Sequence, residues 1–179
     1  FKGGESLEKA HQVNVIVFDK TGTLTQGKPQ VVDFKILNDH YLSYLPFVYA
    51  AEKFSEHPLA SAIVAYRVAY SAPSGTSEMS ANLPNPLNFE SLTGLGVKAK
   101  FDDKTIVVGS PKLAKGLSNS FENEIQEWSN QGKTVVVAGV EGKEVFAVFA
   151  ISDPIKETSA AAVAHLHTLG IQTWMITGD

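Results

Sequence analysis

The residues best suited to chemistry are DKTGTLT at 19–25, which follow the continuous apolar run VNVIVF at 13–18. Such a run is typical of a strand that is buried on both faces. An aspartate at the end of a strand can attack a phosphoryl group as a nucleophile. The backbone amides of Lys20 and Thr21 can form a nest for phosphate oxygens, and Gly22 permits the backbone conformation that a nest requires. A turn that merely ends a strand would explain Asp-Lys alone, but the full seven residues favour phosphoryl chemistry, with Mg²⁺ to neutralise the oxygens.

The surrounding pattern predicts an α/β chain with a strand and loop at the start and a helix, strand and loop at the end. These two parts are predicted to be halves of one unit, 1–29 and 144–179, with an α+β insertion at 30–143. The predicted elements of the insertion are a strand at 31–37, helices at 41–54 and 59–70, a polar loop at 71–88, strands at 89–92, 97–101 and 105–108, and a helix at 121–128. A hairpin over 134–151 turns at Glu141-Gly142, a helix at 155–169 ends before Gly170, and a buried strand covers 171–176.

Ligands of open α/β sheets bind at the carboxyl ends of the strands. Two such ends carry polar residues here, DKTGTLT at 19–25 and TGD at 177–179. We therefore expect these two segments to contribute to the same unit's site.

Composition excludes several other classes of site. The net charge of −4 gives no electrostatic reason to expect nucleic-acid binding. Without cysteines, the chain has neither disulfides nor thiolate metal ligands, and it has no apolar run of the ~20 residues that span a bilayer. His165 and His167 are two residues apart on a predicted helix, so we expect them on its surface rather than in a zinc site. The ending WMITGD leads us to expect that the chain is part of a longer protein.

DKTGTLT resembles the phosphorylation motif of P-type ATPases, which belong to the haloacid dehalogenase-like superfamily. SEHPLA, TGLGV, DP and TGD follow in the order of that family, at 55–60, 93–97, 153–154 and 177–179. The SEHP segment is specific to the heavy-metal-transporting (P1B) branch, and KGGESLEKA near the start resembles the segment that leaves that branch's preceding transmembrane helix. The resemblance implies a partial Rossmann-type phosphorylation domain with an inserted α+β nucleotide-binding domain, whose antiparallel sheet is flanked by helices.

The resemblance also implies roles for individual residues of the phosphorylation domain. Asp19 would be the phosphoacceptor, and Asp19 and Thr21 would hold Mg²⁺ together with a ligand from a later GDGxND motif that this chain does not contain. Further residues would hold the phosphoryl group (Lys20, Thr177 and Gly178) or lie near the hinge and the nucleotide (Asp153 and Asp179).

For the insertion, the resemblance implies a nucleotide site formed by Glu56, His57, Gly94 and Gly96. An imidazole at a helix edge can stack on adenine, and a nearby carboxylate can accept from its amino group. The alternative interpretations are a surface helix cap at Glu56-His57 and a simple turn or bulge at the glycines. Ser110 departs from the family's asparagine, which puts this contact to the nucleotide in doubt because a hydroxyl replaces an amide.

Together these features predict the cytoplasmic ATP-binding and aspartyl-phosphate-forming region of a metal pump in a membrane, with copper as the leading metal. The transported metal would bind elsewhere in the pump, beside its own transmembrane and actuator domains. The chain alone is expected to bind ATP but not to transport, and to form little phosphoenzyme.

Two alternatives remain open: a haloacid dehalogenase-like phosphatase whose insertion is a cap, and a non-catalytic nucleotide-binding module. Many phosphatases of the superfamily carry a second aspartate two residues after the nucleophile, where this chain has Thr21. Without that general base an aspartyl phosphate should hydrolyse slowly, which suits a pump better than a phosphatase.

Overall fold

The computed structural model of the chain describes residues 12–69 and 83–177. The chain divides into two units, the first formed by Phe1–Lys28 and Asp153–Asp179 and the second by Pro29–Ser152. Most of the predicted loop at 71–88, the KGGESLEKA segment, Gly178 and Asp179 lie outside the described residues.

The strands and helices follow the predicted order. The strands are β1 Val15–Asp19, β2 Gln30–Ile36, β3 Asn88–Leu92, β4 Gly96–Lys100, β5 Thr105–Gly109, β6 Thr134–Val140, β7 Val145–Ser152 and β8 Gln172–Ile176. The helices are α1 Leu45–Lys53, α2 Pro58–Ala69, α3 Glu122–Asn130 and α4 Glu157–Thr168, with short helical turns at Asp39–Tyr44 and Pro111–Ala114. Among the described residues, no helix has the length and apolar character needed to cross a membrane.

In the first unit, β1 and β8 form a parallel pair whose register runs from Val15 opposite Gln172 to Asp19 opposite Ile176. The helix α4 precedes β8 and ends before Gly170, which adopts φ +77°. Because the strands are parallel and in this register, their carboxyl ends lie at the same edge.

Two predictions about this pair are wrong for the described structure: that the run at 13–18 is buried on both faces, and that the strand at 171–176 is buried. The side chains of Val15 and Val17 are exposed, and Trp174, Met175 and Ile176 are each more than half exposed. A parallel strand is buried on both faces only where helices cover both faces. Within the described part of this unit, α4 is the one regular α-helix.

The second unit contains a six-stranded antiparallel sheet in the order β2-β7-β6-β5-β4-β3. On one face, α1 and α2 bury their apolar residues in a core that includes Leu45, Tyr49, Ile63 and Phe149. On the other face, Ile125 and Trp128 of α3 pack against residues of β6 and β7. This architecture confirms the predicted antiparallel sheet flanked by helices.

The second boundary between the units lies at 152/153, whereas the sequence placed it at 143/144. The strand β7 pairs with β6 on one side and β2 on the other, and therefore belongs to the sheet of the second unit. A boundary at 143/144 would cut the predicted hairpin, whose two strands are separated by the turn between Val140 and Val145. The first boundary, at 28/29, differs from the prediction by one residue.

Candidate functional site

The aspartate loop, residues 19–28, begins at the carboxyl end of β1. Asp19 is the last residue of the strand and its side chain is exposed. The backbone then turns sharply: Gly22 adopts φ +75°, and the amide of Thr25 donates to the carbonyl of Lys20 at 3.1 Å. Glycine suits this position because left-handed φ values cost other residues about 1–2 kcal/mol.

Asp153 fixes the far end of the aspartate loop. Its Oδ2 accepts from the hydroxyl of Thr25 at 2.5 Å and from the amide of Gly27 at 3.1 Å, and its Oδ1 accepts from the amide of Lys28 at 3.1 Å. The Thr25 Oγ1 in turn accepts from the amide of Gly22 at 3.1 Å, and Thr25 is 5% exposed. The carboxylate therefore supports the loop at the residues where the chain leaves and re-enters the first unit.

The start of α4 supports the same loop from a second side. The ammonium group of Lys156 donates to the carbonyl of Gly22 at 2.6 Å, and the hydroxyl of Ser159 donates to the carbonyl of Leu24 at 2.8 Å. The sequence analysis missed both supporting residues, because their partners lie more than a hundred residues earlier in the chain.

Of the residues predicted to handle phosphate, the described structure brings Asp19, Lys20 and Thr21 to one edge with Thr177. Thr177 directly follows Ile176, which is the register partner of Asp19. The described residues contain no ready cluster of three His, Cys, Asp or Glu side chains for a metal ion. An exposed carboxylate beside hydroxyl and carbonyl oxygens nevertheless suits Mg²⁺, which often uses one or two carboxylates together with phosphate oxygens and water.

The second unit contains a pocket of about 270 Å³, which we call the base pocket. It is formed where the end of α1, the start of α2, the β3–β4 turn, the end of β5 and the start of β6 meet. Its lining residues include Glu52, Ser55, His57, Leu59, Ala60, Ser91 to Val97, Val108 to Ser110 and Thr134 to Val136. Among the predicted nucleotide-binding residues, the structure brings together His57, Gly94, Gly96 and Ser110.

His57 lines the base pocket and also caps α2. Its Nδ1 accepts from the amide of Leu59 at 3.2 Å, and its own amide donates to the Ser55 hydroxyl at 3.3 Å. Pro58 is the first residue of α2, one residue before the predicted start of this helix. His57 therefore both caps the helix and lines the pocket. The cap holds its imidazole ring at the pocket wall.

Glu56, predicted as the carboxylate of this site, is exposed and does not line the pocket. The carboxyl group that lines the pocket belongs to Glu52, which lies four residues earlier, on α1, and is 6% exposed. Burial raises the pKa of Glu52 from 4.5 to about 7. Helical spacing could have identified this residue, since Glu52 lies four residues after the buried Val48 and three after the buried Tyr49.

Glycine occupies positions 94 and 96 of the pocket for different structural reasons. Gly94 adopts φ +71° in the β3–β4 turn. Gly96 and Gly109 face each other across β4 and β5, and a Cβ atom on Gly96 would lie 2.2 Å from the carbonyl oxygen of Val108. Gly96 is therefore required by the close approach of the two strands.

Ser110 follows β5 and lines the same pocket. Its amide donates to the carbonyl of Leu95 at 2.7 Å. Its Oγ is buried and has no hydrogen-bond partner among the described residues. A buried hydroxyl without a partner costs about 1–3 kcal/mol, so a polar group bound in the pocket would relieve that cost.

Comparison with known proteins identifies the family. The model of the haloacid dehalogenase-like hydrolases matches residues 13–179. The chain belongs to the haloacid dehalogenase-like hydrolase family. This confirms the fold class and the superfamily inferred from DKTGTLT.

Curated relatives of this haloacid dehalogenase-like chain include heavy-metal ATPases. A cadmium-transporting ATPase of Staphylococcus aureus is 41% identical over 186 residues, which are 99% of this chain and 24% of the relative. A copper-exporting P-type ATPase of Bacillus subtilis is 40% identical over 187 residues, which are 100% of this chain and 22% of the relative. The chain thus spans about a quarter of the length of these relatives.

Solved structures give the same result. A zinc-transporting PIB-type ATPase matches with a TM-score of 0.80 and 31% identity, covering 99% of this chain and 28% of that one. The catalytic domain of the CPx-ATPase CopB-B, studied for conformational changes upon nucleotide binding, matches with a TM-score of 0.68 and 28% identity. That match covers 99% of this chain and 59% of the other. The resemblance to heavy-metal P-type ATPases is confirmed.

Proposed function

We propose that this chain is the ATP-binding and aspartyl-phosphate-forming region of a P-type ATPase that transports a heavy-metal cation. The observation that supports it best is the aspartate of DKTGTLT. Asp19 ends β1 with an exposed carboxylate, beside Thr177 and on a loop that Asp153 holds through three hydrogen bonds. A nucleophile needs this combination of access and fixed position.

The second unit would bind the nucleotide through its base. The described residues that line the base pocket include no lysine or arginine, and many of them are apolar, so the pocket suits a purine better than a triphosphate. The imidazole of His57 would stack on the base, and Glu52 and Ser110 would supply hydrogen bonds to it or to the ribose. Glu56, which is exposed, is not part of this proposed site.

In the proposed reaction, a carboxylate oxygen of Asp19 attacks the γ-phosphorus of ATP in line. The bond from that phosphorus to the bridging oxygen breaks, and ADP leaves with the electron pair. Lys20, Thr177 and, as an untested prediction, Gly178 would hold the oxygens of the transferred group. Mg²⁺, held by Asp19 and Thr21, would supply charge neutralisation when bound.

Thr21 would make the resulting aspartyl phosphate long-lived. At this position a second carboxylate could activate water, and threonine cannot do so at neutral pH. A persistent phosphoenzyme has time to drive a conformational change, which favours a pump over a phosphatase with a cap.

The proposal concerns heavy-metal cations as a class. Cadmium- and copper-transporting relatives are 41% and 40% identical, so the copper assignment suggested by resemblance alone has no advantage from these comparisons. We propose that the region is cytoplasmic and that transmembrane and actuator domains of the same pump bind and move the metal.

Acid-quenched labelling with γ-labelled ATP tests this proposal in the full-length protein. We expect acid-stable label that hydroxylamine removes and that Asp19→Asn abolishes. Asp102→Asn, which changes an exposed carboxylate on the β4–β5 turn, is the matched control and should keep the label. Continuous phosphate release from small phosphate esters without a trapped intermediate would support the phosphatase instead. ATP binding with neither label nor turnover would support the non-catalytic module.

A further inference from the structure

Glu52 is a buried carboxyl group without a described partner. It lies at the wall of the base pocket and is 6% exposed. Burial is the one influence that shifts its pKa, and no hydrogen bond or charge from the described residues acts on it. An ionised carboxylate buried in this way needs a compensating cation.

The base pocket supplies no such cation among its described lining residues. Its other titratable side chain is His57, whose Nδ1 lone pair accepts from the Leu59 amide at 3.2 Å. In this hydrogen bond the Nδ1 of His57 acts as an acceptor, and its partner is the backbone of α2 rather than Glu52.

The charged groups on the elements around α1 do not contribute to the pKa shift of Glu52, whose one cause is burial. Lys98 and Lys100 alternate on β4 with the buried Val97 and Ala99, and Lys98 forms an ion pair with Glu141. The remaining titratable groups of α1 and its packing partners lie on three elements. They are Tyr49 (buried) and Lys53 (exposed) on α1, Tyr66 and Arg67 on α2 and, before the start of α1, Asp39, His40, Tyr41 and Tyr44. β5 has no titratable side chain.

We propose that Glu52 binds the base of the nucleotide as a neutral carboxylic acid, so that nucleotide binding is coupled to retention or uptake of one proton. This inference rests on the proposed function, since it assumes that the base pocket takes an adenine nucleotide. The inference adds to the proposed function the protonation state of Glu52 in which the pocket binds the base.

The hydrogen-bonding pattern of adenine supports the neutral acid. The base presents an amino N–H donor beside a ring-nitrogen acceptor. A neutral carboxyl group offers the complementary pair, a hydroxyl donor and a carbonyl acceptor, and makes two hydrogen bonds without a net charge. A carboxylate would accept from the amino group, but its second oxygen would face the lone pair of the ring nitrogen. The bound base would also exclude water, which disfavours the charged form further.

Because binding is coupled to a proton, the affinity for the base should depend on pH in one direction. Below the pKa of Glu52, about 7, the group is already protonated and the affinity should change little with pH. Above it, each molecule must take up a proton to bind, so the affinity should fall by about tenfold between about pH 6 and about pH 8.

The experiment measures binding of adenosine to the chain by calorimetry from about pH 6 to about pH 8.5, a range in which adenosine itself does not titrate. We expect a tenfold fall in affinity for the wild type. Glu52→Gln presents the same donor and acceptor without a titratable proton, so its affinity should not change with pH. His57→Asn should bind more weakly and keep the pH dependence, which separates the two titratable groups of the pocket.

Proton uptake gives a readout that needs no variant. Wild-type titrations at about pH 7.5 in two buffers of different ionisation enthalpy should show uptake of most of one proton per bound adenosine. An affinity that rises with pH, or that stays constant with no proton uptake, would overturn the neutral-acid inference while leaving ATP binding intact. Absence of adenosine and ATP binding at every pH would overturn the proposed nucleotide site itself, and the inference with it.

Discussion

Thr25 connects the aspartate loop to the residues that support it. Its hydroxyl donates to Asp153 and accepts from the amide of Gly22, and the residue is 5% exposed. A valine has almost the same shape but can make neither bond. The loss would leave a carboxylate oxygen and a backbone amide with fewer partners in a largely buried place.

We expect Thr25→Val to lower the free energy of unfolding of the first unit by about 1–3 kcal/mol and to slow phosphoenzyme formation. Urea denaturation followed by Trp174 fluorescence, in a Trp128→Phe background, measures the first effect. Thr23→Val alters an exposed threonine of the same loop and should have little effect on stability. Equal stability of the two variants would show that the Thr25–Asp153 contact does not hold the loop.

Glu52 also makes the stability of the second unit depend on pH. Its pKa is raised from 4.5 to about 7 in the folded chain, so the folded state binds the proton more tightly. Below about pH 4.5 both states are protonated and there is no penalty. As the pH rises from there to about 7, the unfolded state ionises first and stability is lost, by up to about 3 kcal/mol.

We therefore expect Glu52→Gln to be more stable than the wild type at about pH 8 and similar to it at about pH 4.5. Denaturant unfolding followed by Trp128, with the exposed Trp174 replaced by phenylalanine, provides the measurement. Glu56→Gln is the matched control, because Glu56 is an exposed neighbour and its replacement should leave the pH profile unchanged. Parallel profiles for wild type and Glu52→Gln would rule out the neutral buried acid.

At the scale of the elements, the contact between β4 and β5 determines the shape of the base pocket. Gly96 and Gly109 are register partners, and a Cβ atom on Gly96 would lie 2.2 Å from one backbone atom and 2.5 Å from another. No side-chain rotation can relieve contacts with backbone atoms, so the strands would have to separate. Gly94, two residues earlier, has open space around its Cα.

We expect Gly96→Ala to destabilise the second unit by at least about 1–3 kcal/mol and to weaken ATP binding. Gly94→Ala should lower the free energy of unfolding by only about 1–2 kcal/mol, the cost of a left-handed backbone conformation for a residue other than glycine. Thermal unfolding and ATP calorimetry on both variants distinguish the cases. If Gly96→Ala kept its stability and lost only ATP binding, the glycine would serve the nucleotide rather than the sheet.

Local patterns predicted most elements because each such element depends on its own residues. Apolar spacing indicated α1 and α2, and Glu141-Gly142 marked the β6–β7 turn. The exposure of β1 could not be predicted, because the same apolar run suits a strand whether or not helices cover it. The contacts of Asp153, Lys156 and Ser159 with the aspartate loop also escaped prediction, since they join segments more than a hundred residues apart. The sequence analysis named Glu56 from the SEHP motif and did not consider Glu52, whose place in the pocket depends on how α1 packs.

At the scale of the whole molecule, the chain divides its proposed chemistry between two units. The nucleophile and its supporting contacts belong to the first unit, and the base pocket belongs to the second. Neither lysine nor arginine occurs among the described residues that line the pocket, so the binding free energy there should come from the base and the ribose. The phosphates would then matter for the reaction at Asp19 more than for affinity.

This division predicts that ATP, ADP and AMP bind the chain with affinities within about tenfold, a span of about 1.4 kcal/mol. Competition calorimetry compares the three nucleotides, and inorganic tripolyphosphate serves as the control that lacks a base and should not compete. His57→Ala should weaken all three to a similar degree, because it removes a contact to the base that they share. ATP binding that is far tighter than AMP binding, or that tripolyphosphate displaces, would mean that cationic groups outside the base pocket hold the phosphates in this chain.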